Sequence, residues 1–242
     1  MEERKMRKET QKEMAAKAAA LYVRDGMTLG LGTGSTAYYF IREAGAMAAK
    51  GFRFRAVVTS KKSRELALAF HIPVISPEET EFIDLAIDGV DEIDKDFCAV
   101  KGGGGALLRE KIVASKAHEV IWIMDESKLV DRLGAFPLPV EVLPFGSRWT
   151  ADAAKRLGGD VRLRCVEGRP YRTDNGNAIL DMTFPQRTDY RTADRELRRI
   201  PGVLETGFFD AICSRIIVGG RDGVREILNP ERVCMTAMDE SF

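Results

Sequence analysis

The run Lys101-Gly102-Gly103-Gly104-Gly105-Ala106-Leu107-Leu108-Arg109-Glu110-Lys111 sets the strongest limit on how this chain can fold. Successive glycines lose more backbone entropy on folding than any other residues and bring no side chain to a core. They belong where main chain must come close to a ligand. The run follows Asp84-Leu85-Ala86-Ile87-Asp88-Gly89-Val90-Asp91-Glu92, which reads as a buried strand breaking into an acidic turn. A second glycine loop, Leu29-Gly30-Leu31-Gly32-Thr33-Gly34-Ser35-Thr36, again lies between a strand-like and a helix-like segment. Three loops of one geometric type point to one composite site.

The surrounding pattern supplies the scaffold. Charges interleaved with Met14, Ala18, Leu21 and Tyr22 at spacings of three and four predict an amphipathic first helix over residues 2–24, ended by Asp25-Gly26. Strands at 27–31 and 54–58 enclose a helix at 36–50. The alternation continues with a helix at 61–70, strands at 72–75 and 83–87, a helix reaching residue 118 and a strand at 120–124. Alternation of this length implies a mostly parallel, Rossmann-like α/β sheet with helices on both faces. In such sheets ligands collect beyond the carboxyl ends of the strands, where all three loops fall.

After residues 138–143 and the break Pro144-Phe145-Gly146 the texture changes. Segments 161–166 and 178–182 flank Asp174-Asn175-Gly176-Asn177, whose Asn-Gly pair is a hairpin signal, and a helix-like stretch at 192–200 follows. Residues 145–210 are therefore expected to form a small inserted α+β (ferredoxin-like) domain, a lid or oligomerisation unit. Residues 1–144 and 211–242 would form the α/β catalytic domain, with 214–218 and 224–228 restoring the strand-helix alternation.

Composition narrows the function classes. The 37 basic residues are balanced by 37 acidic ones, which argues against a broad basic surface for nucleic acid and leaves room for a local patch. Cys98, Cys165, Cys213 and Cys234 show no paired spacing of the kind zinc or redox sites use, and they read as reduced buried thiols. The charged N-terminus lacks the apolar block of a signal peptide, and no segment approaches the ~20 apolar residues of a membrane span. A soluble cytoplasmic protein is expected. The two histidines, His71 and His118, lie at a helix end and a strand start, away from the loops, which argues against a Ser-His-Asp triad or a histidine-ligated metal. Acid–base chemistry then rests on carboxylates and lysines.

Gly32-Thr33-Gly34-Ser35-Thr36 offers backbone N–H groups, hydroxyls and a helix N-terminus, suited either to a phosphate or to a simple helix cap. It has neither the Walker sequence nor dinucleotide-site spacing. Asp88 and Asp91 bracket Gly89 and could cap a turn, act chemically or hold magnesium, although Lys101 offsets their charge. Glu110 lies about a turn into the helix after the glycines, either as a solvated residue between Arg109 and Lys111 or as a general base. Lys128, in Asp125-Glu126-Ser127-Lys128 after the 120–124 strand, is a surface charge or a phosphate partner.

Together these motifs resemble ribose-5-phosphate isomerase, type A. The matching residues are Gly32-Thr33-Gly34-Ser35-Thr36, Asp88-Gly89-Val90-Asp91-Glu92-Ile93, Lys101-Gly102-Gly103-Gly104-Gly105-Ala106 with Arg109-Glu110-Lys111, and Ser127-Lys128. Phe136-Pro137-Leu138-Pro139-Val140-Glu141-Val142 and Thr173-Asp174-Asn175-Gly176-Asn177 complete the set, spread over residues 10–228 in the family's order. The resemblance implies reversible conversion of ribose 5-phosphate to ribulose 5-phosphate in the pentose phosphate pathway, with no metal or organic cofactor. It implies Glu110 as the base moving a proton between C2 and C1 through an enediolate. Lys101 and the N–H groups of Gly102, Gly103 and Gly104 would stabilise the oxyanion. Asp88, with Asp91 nearby, would handle hydroxyl protons and ring opening, and Gly89 would join them in binding the substrate. Thr33, Gly34, Ser35, Thr36 and Lys128 would hold the phosphate. A homodimer or homotetramer is implied, with no nucleic-acid or membrane partner. Gly220-Arg221-Asp222-Gly223 and Ser63 depart from the family's pattern, which bears on packing, oligomer contacts and substrate fit. The alternative from another class is a sugar-phosphate-sensing regulatory domain, against which stands the lack of room for a helix-turn-helix in the ~25 residues before the first strand. Other sugar-phosphate enzymes or acyl-CoA transferases on related folds are a further alternative, and the set Asp88, Lys101 and Glu110 argues against them by family analogy.

Overall fold

The computed structural model describes residues 2–185 and 188–232, which form two compact units. The first takes in residues 2–90, 109–129 and 211–232, the second residues 91–108 and 130–210. Cys234 and the expectation for residues 233–242 lie outside the described residues.

The first unit is built on a six-stranded sheet in the order Gly223–Leu228, Arg215–Gly220, Ala117–Asp125, Ile83–Gly89, Thr28–Leu31, Arg55–Val58. Every neighbouring pair is parallel except the first. Alternate residues face opposite ways along a strand, and the sequence uses both faces. Leu29, Leu31, Leu85, Ile87, Ile121, Ile123 and Ile217 share a core with Ala15, Ala16 and Ala19 of the helix Glu2–Ala20 and with Phe40, Ile41 and Ala44 of the helix Ser35–Ala49. On the opposite face a Cβ at Gly30 would meet Val113 of the helix Leu107–Ser115 at 2.6 Å. Helices therefore cover both faces.

The first helix is pinned by chemistry as well as by alanines. Its backbone lies so close to the Arg215–Gly220 strand that a Cβ at Gly219 would sit 1.9 Å from the Gln11 carbonyl oxygen. Beyond its end, the Tyr22 hydroxyl donates to Glu226 at 2.7 Å and its ring lies 4.5 Å beneath the Arg215 guanidinium. Arg215 pairs in turn with Glu119 and Glu226, each at 2.6 Å.

Residues 223–228 differ from expectation. Arg221 and Asp222 form a tight turn between Gly220 and Gly223, and the chain folds back as an antiparallel edge strand rather than continuing the strand-helix alternation. Residues 72–75 contribute a single bridge, Ala56 to Val74, where a strand was expected. Pro73 can donate no hydrogen bond there.

The second unit contains a four-stranded antiparallel sheet, ordered Val203–Thr206, Leu138–Val142, Ala178–Thr183, Asp160–Leu163. With the helices Ser147–Lys155 and Tyr190–Leu197 the chain order is strand, helix, strand, strand, helix, strand, the ferredoxin-like arrangement. Val140, Val142, Leu180, Met182, Ala154 and Leu197 are among its core residues. The unit reaches further than residues 145–210. Residues 138–142 hydrogen-bond to 178–183 and 203–206 instead of the parallel sheet, and residues 91–108 belong here too. Between the strands Asp160–Leu163 and Ala178–Thr183 a small hairpin, Cys165–Val166 with Arg169–Pro170, intervenes before the Asn175-Gly176 turn.

The cysteines divide. Cys98 and Cys213 are buried as expected, whereas Cys165 is exposed in the small hairpin. Burial pushes the Cys98 thiol up to about 12, and the negative charge of Asp94 adds to the effect. At neutral pH this favours the protonated thiol over the nucleophilic thiolate.

Candidate active site

In the first unit the parallel register brings the carboxyl ends of four strands to one edge. Leu31 stands beside Ile87 and Val58, and Gly89 beside Ile123. Residues at the ends of these strands or just past them are among those the sequence singled out. Thr33 donates its N–H to Asp88 Oδ1 at 3.0 Å, and the Gly89 N–H donates to the same oxygen at 2.7 Å. Asp88 is thereby locked against the glycine loop, and Gly32 is required by close approach: a Cβ there would lie 2.0 Å from the Asp88 carboxyl carbon.

Beneath the loop lies a hydroxyl network. Thr33 Oγ1 is 2.7 Å from Thr59 Oγ1 and 3.2 Å from Ser63 Oγ, and Ser63 Oγ donates to the Gly32 carbonyl at 2.6 Å. Ser63, a departure from the family's sequence pattern, is thus part of the loop's support. Gly34 caps the helix Ser35–Ala49 and brings no side-chain acceptor, so the cap residue leaves the first-turn N–H groups open at this helix end. An anion is the natural complement of that helix end.

Two cations reach this edge that the sequence reading did not single out. Lys12 Nζ donates to Ser35 Oγ at 2.9 Å, and Lys8 Nζ donates to Ser127 Oγ at 2.9 Å. They are one helical turn apart on the first helix, so one face carries both. That spacing was the available signal, but it resembled any solvated lysine pair. Ser127 is oriented by Asp125 Oδ1, which accepts its N–H at 3.0 Å and its hydroxyl at 2.5 Å. Lys128 ends this short turn, Glu126–Lys128. Glu110, in the first turn of the helix Leu107–Ser115, is buried at 4 % exposure.

The second unit holds Asp91, Lys101 and the glycine run. Glu92–Ile93 pairs antiparallel with Ala99–Val100, which places Asp91 and Lys101 just past the Glu92–Val100 pair. The Lys101 N–H donates to the Gly207 carbonyl at 2.8 Å, and its Nζ lies 5.6 Å from the centre of the Phe209 ring. Asp91 Oδ2 accepts the Gly103 N–H at 2.7 Å, so this donor is already engaged within the loop. The buried Glu92 carboxylate accepts the N–H groups of Gly134 and Phe136 at 2.8 and 2.7 Å, holding Phe136 beside Gly103. Gly105 adopts φ 79° with Tyr171 so near that a Cβ would meet its hydroxyl at 2.2 Å.

Of the singled-out residues, Thr33, Gly34, Ser35, Thr36, Asp88, Gly89, Glu110 and Lys128 thus belong to the first unit, and Asp91, Lys101, Gly102, Gly103 and Gly104 to the second. The histidines take no part. His118 lies 4.5 Å from Phe82 with the two rings tilted by 57°, and His71 follows the helix Lys61–Ala69. Among the described residues no three His, Cys, Asp or Glu side chains are grouped to hold a metal, and no helix is long and apolar enough to cross a membrane.

Residues 55–223 match the family model for ribose 5-phosphate isomerase A (phosphoriboisomerase A). The chain is 48% identical over 216 residues to ribose-5-phosphate isomerase A of Bacillus mycoides, covering 89% of this chain and 98% of that protein. It is 44% identical over 218 residues to the Streptococcus pneumoniae protein of that name, covering 90% and 96%. Among solved structures, a D-ribose-5-phosphate isomerase in complex with phospho-erythronic acid superposes with a TM-score of 0.88 at 38% identity, over 91% of this chain and 99% of that one. The Plasmodium falciparum ribose 5-phosphate isomerase gives 0.88 at 33% identity, over 92% and 99%.

Proposed function

From the premise that the chain belongs to the ribose-5-phosphate isomerase A family, and so interconverts ribose 5-phosphate and ribulose 5-phosphate, we propose which of its residues perform that reaction. The observation that carries the assignment is the burial of three ionisable side chains in or beside the singled-out loops, Asp88 at 4 %, Lys101 at 2 % and Glu110 at 4 % exposure, while the equally buried Glu92 and Asp125 serve to fold neighbouring turns. Buried charges are costly and are retained where chemistry or a specific partner needs them.

Glu110 removes the C2 proton of the open-chain aldose, and the electron pair moves into an enediolate. The same carboxyl returns a proton to C1, giving the ketose with no net loss of atoms. Lys101 and the glycine-run N–H groups other than that of Gly103, which Asp91 already engages, bear the oxyanion charge as preorganised donors. Asp88, held by two backbone N–H groups, moves hydroxyl protons during ring opening and transfer between O1 and O2, with Asp91 assisting. Residues 33–36 and Lys128 bind the phosphate, joined by Lys12 and Lys8 of the first helix. Binding energy from that remote group positions the reacting carbons. A related structure's complex with phospho-erythronic acid, a phosphorylated sugar acid, supports this ligand class.

Ribulose 5-phosphate formation in the presence of EDTA tests the reading directly. Lys128→Ala is expected to raise KM about tenfold with little change in kcat, as loss of a charge-assisted phosphate contact does. A fall in kcat with unchanged KM would remove Lys128 from the phosphate site. We also infer a cytoplasmic homodimer or homotetramer. Phe145 and Trp149, at 88% and 75% exposure in the second unit, form apolar surface that a second copy would cover. Light scattering is expected to give two or four times the 26.9 kDa chain mass, and a monomer would overturn this.

A further inference from the structure

We propose that Arg164 is a positioning residue for the isomerisation: it fixes the peptide planes of the glycine run so that the Gly104 N–H is the loop's donor to the oxyanion. The inference rests on the reading of that loop as the oxyanion-stabilising element.

Three consecutive peptide groups, from Gly102 to Gly105, carry six polar atoms. The Gly102 carbonyl accepts from Arg164 Nη1 at 2.7 Å and from the Gly105 N–H at 3.0 Å. The N–H of that same first peptide, on Gly103, donates to Asp91. The Gly103 carbonyl accepts from Arg164 Nη1 at 3.3 Å, and the Gly104 carbonyl accepts from the Tyr171 hydroxyl at 3.3 Å. Five of the six groups are therefore engaged. The remaining one is the Gly104 N–H, for which the described residues supply no acceptor. In a planar trans peptide the N–H points opposite to the carbonyl. Holding the Gly103 carbonyl toward Arg164 aims the Gly104 N–H the other way.

Arg164 can hold this geometry because it is itself fixed. Its Nε and Nη2 donate to the two oxygens of Asp181 at 2.9 and 2.5 Å, leaving Nη1 for the loop carbonyls. The side chain is only 13% exposed, and its own N–H is bonded to the Ile179 carbonyl at 2.8 Å. A planar fork with donors on two sides is particular to guanidinium, and an ammonium in its place offers no second rigid edge. Without this clamp the middle peptide, Gly103–Gly104, loses the bond that holds its carbonyl, and glycine backbone resists its rotation little.

Arg164→Lys retains a cation for Asp181 and tests the fork alone, and Arg164→Gln tests the cation. Each folded variant is expected to lose about tenfold in kcat, less than the full cost of an oxyanion donor, because the N–H is misaimed rather than removed. KM should stay within about twofold, since the phosphate contacts are untouched. Inhibition by phospho-erythronic acid, whose carboxylate resembles the charged intermediate, should weaken by the same factor as kcat. Inhibition by inorganic phosphate should not change. Rescue of kcat in Arg164→Gln by added guanidinium, at concentrations below those that unfold the protein, would support the clamp. Lys101→Met is the control: if it lowers kcat while Arg164→Lys leaves kcat unchanged, the clamp is overturned and the oxyanion reading stands. If neither variant changes kcat, the oxyanion reading itself fails. Parallel loss in kcat, KM and both inhibitors would make Arg164 a support of the fold only, and would also overturn the proposal.

Discussion

Glu110→Gln lowers kcat on the order of a thousandfold, as removal of a general base does, while the protein stays folded and still binds substrate. The amide matches the carboxyl in volume, so a side chain at 4 % exposure is replaced without a cavity. What is lost is the lone pair that takes the C2 proton. Steady-state kinetics supplies the first check, with circular dichroism and phosphate inhibition confirming an intact fold and anion site. A second check follows the proton itself. In deuterated water the natural protein should incorporate deuterium into the sugar as carbon-bound hydrogen is moved, and the variant should not. Near-full turnover by Glu110→Gln would remove the proton-transfer assignment while leaving the family intact.

Gly32→Ala should be nearly as damaging although it adds one methyl. That methyl would stand 2.0 Å from the Asp88 carboxyl carbon and 2.5 Å from its Cβ. Neither neighbour can yield easily: Asp88 is 4 % exposed and fixed by the Thr33 and Gly89 N–H groups, and the Gly32 carbonyl is held by Ser63. Overpacking of this kind costs about 1–3 kcal/mol of stability. Displacing a reacting group by about an ångström costs roughly a hundredfold in rate. The expected result is a lowered denaturation midpoint together with a kcat reduced by about that factor. A variant with natural stability and turnover would show that the loop and Asp88 are not rigidly coupled.

What could be read from the sequence is what local chemistry encodes. The glycine run, the acidic turn after residue 87 and the 33–36 loop were visible because glycine and short polar residues have few other reasons to cluster between a strand and a helix. The parallel sheet followed from the alternation of elements, and its register places most of those loops on one edge. Pairings between distant segments were not legible. Residues 138–142 have the composition of a strand in either sheet, and only hydrogen bonds to 178–183 and 203–206 assign them to the second unit. The Arg221-Asp222 turn was hidden because Gly220-Arg221-Asp222-Gly223 read as a departure from a family pattern rather than as a hairpin. Lys8 and Lys12 were missed for a related reason. Periodicity reveals that a helix has a charged face, but not what that face lies against.

The close seating of the first helix gives its lysines an additional property. With main chain at Gln11 in contact with the strand at Gly219, and Ala15, Ala16 and Ala19 fully buried, this helix cannot fray one residue at a time without stripping the strand beneath it. It is built to open as a cooperative unit, so amide exchange along residues 8–19 and 215–219 should share one opening free energy. Any anion gripped by Lys12 draws on that same equilibrium, since the grip exists only while the unit is closed. Substrate would then slow amide exchange in strand 215–219, and weakening the Tyr22–Arg215–Glu226 anchor would loosen substrate binding from the far end of the helix.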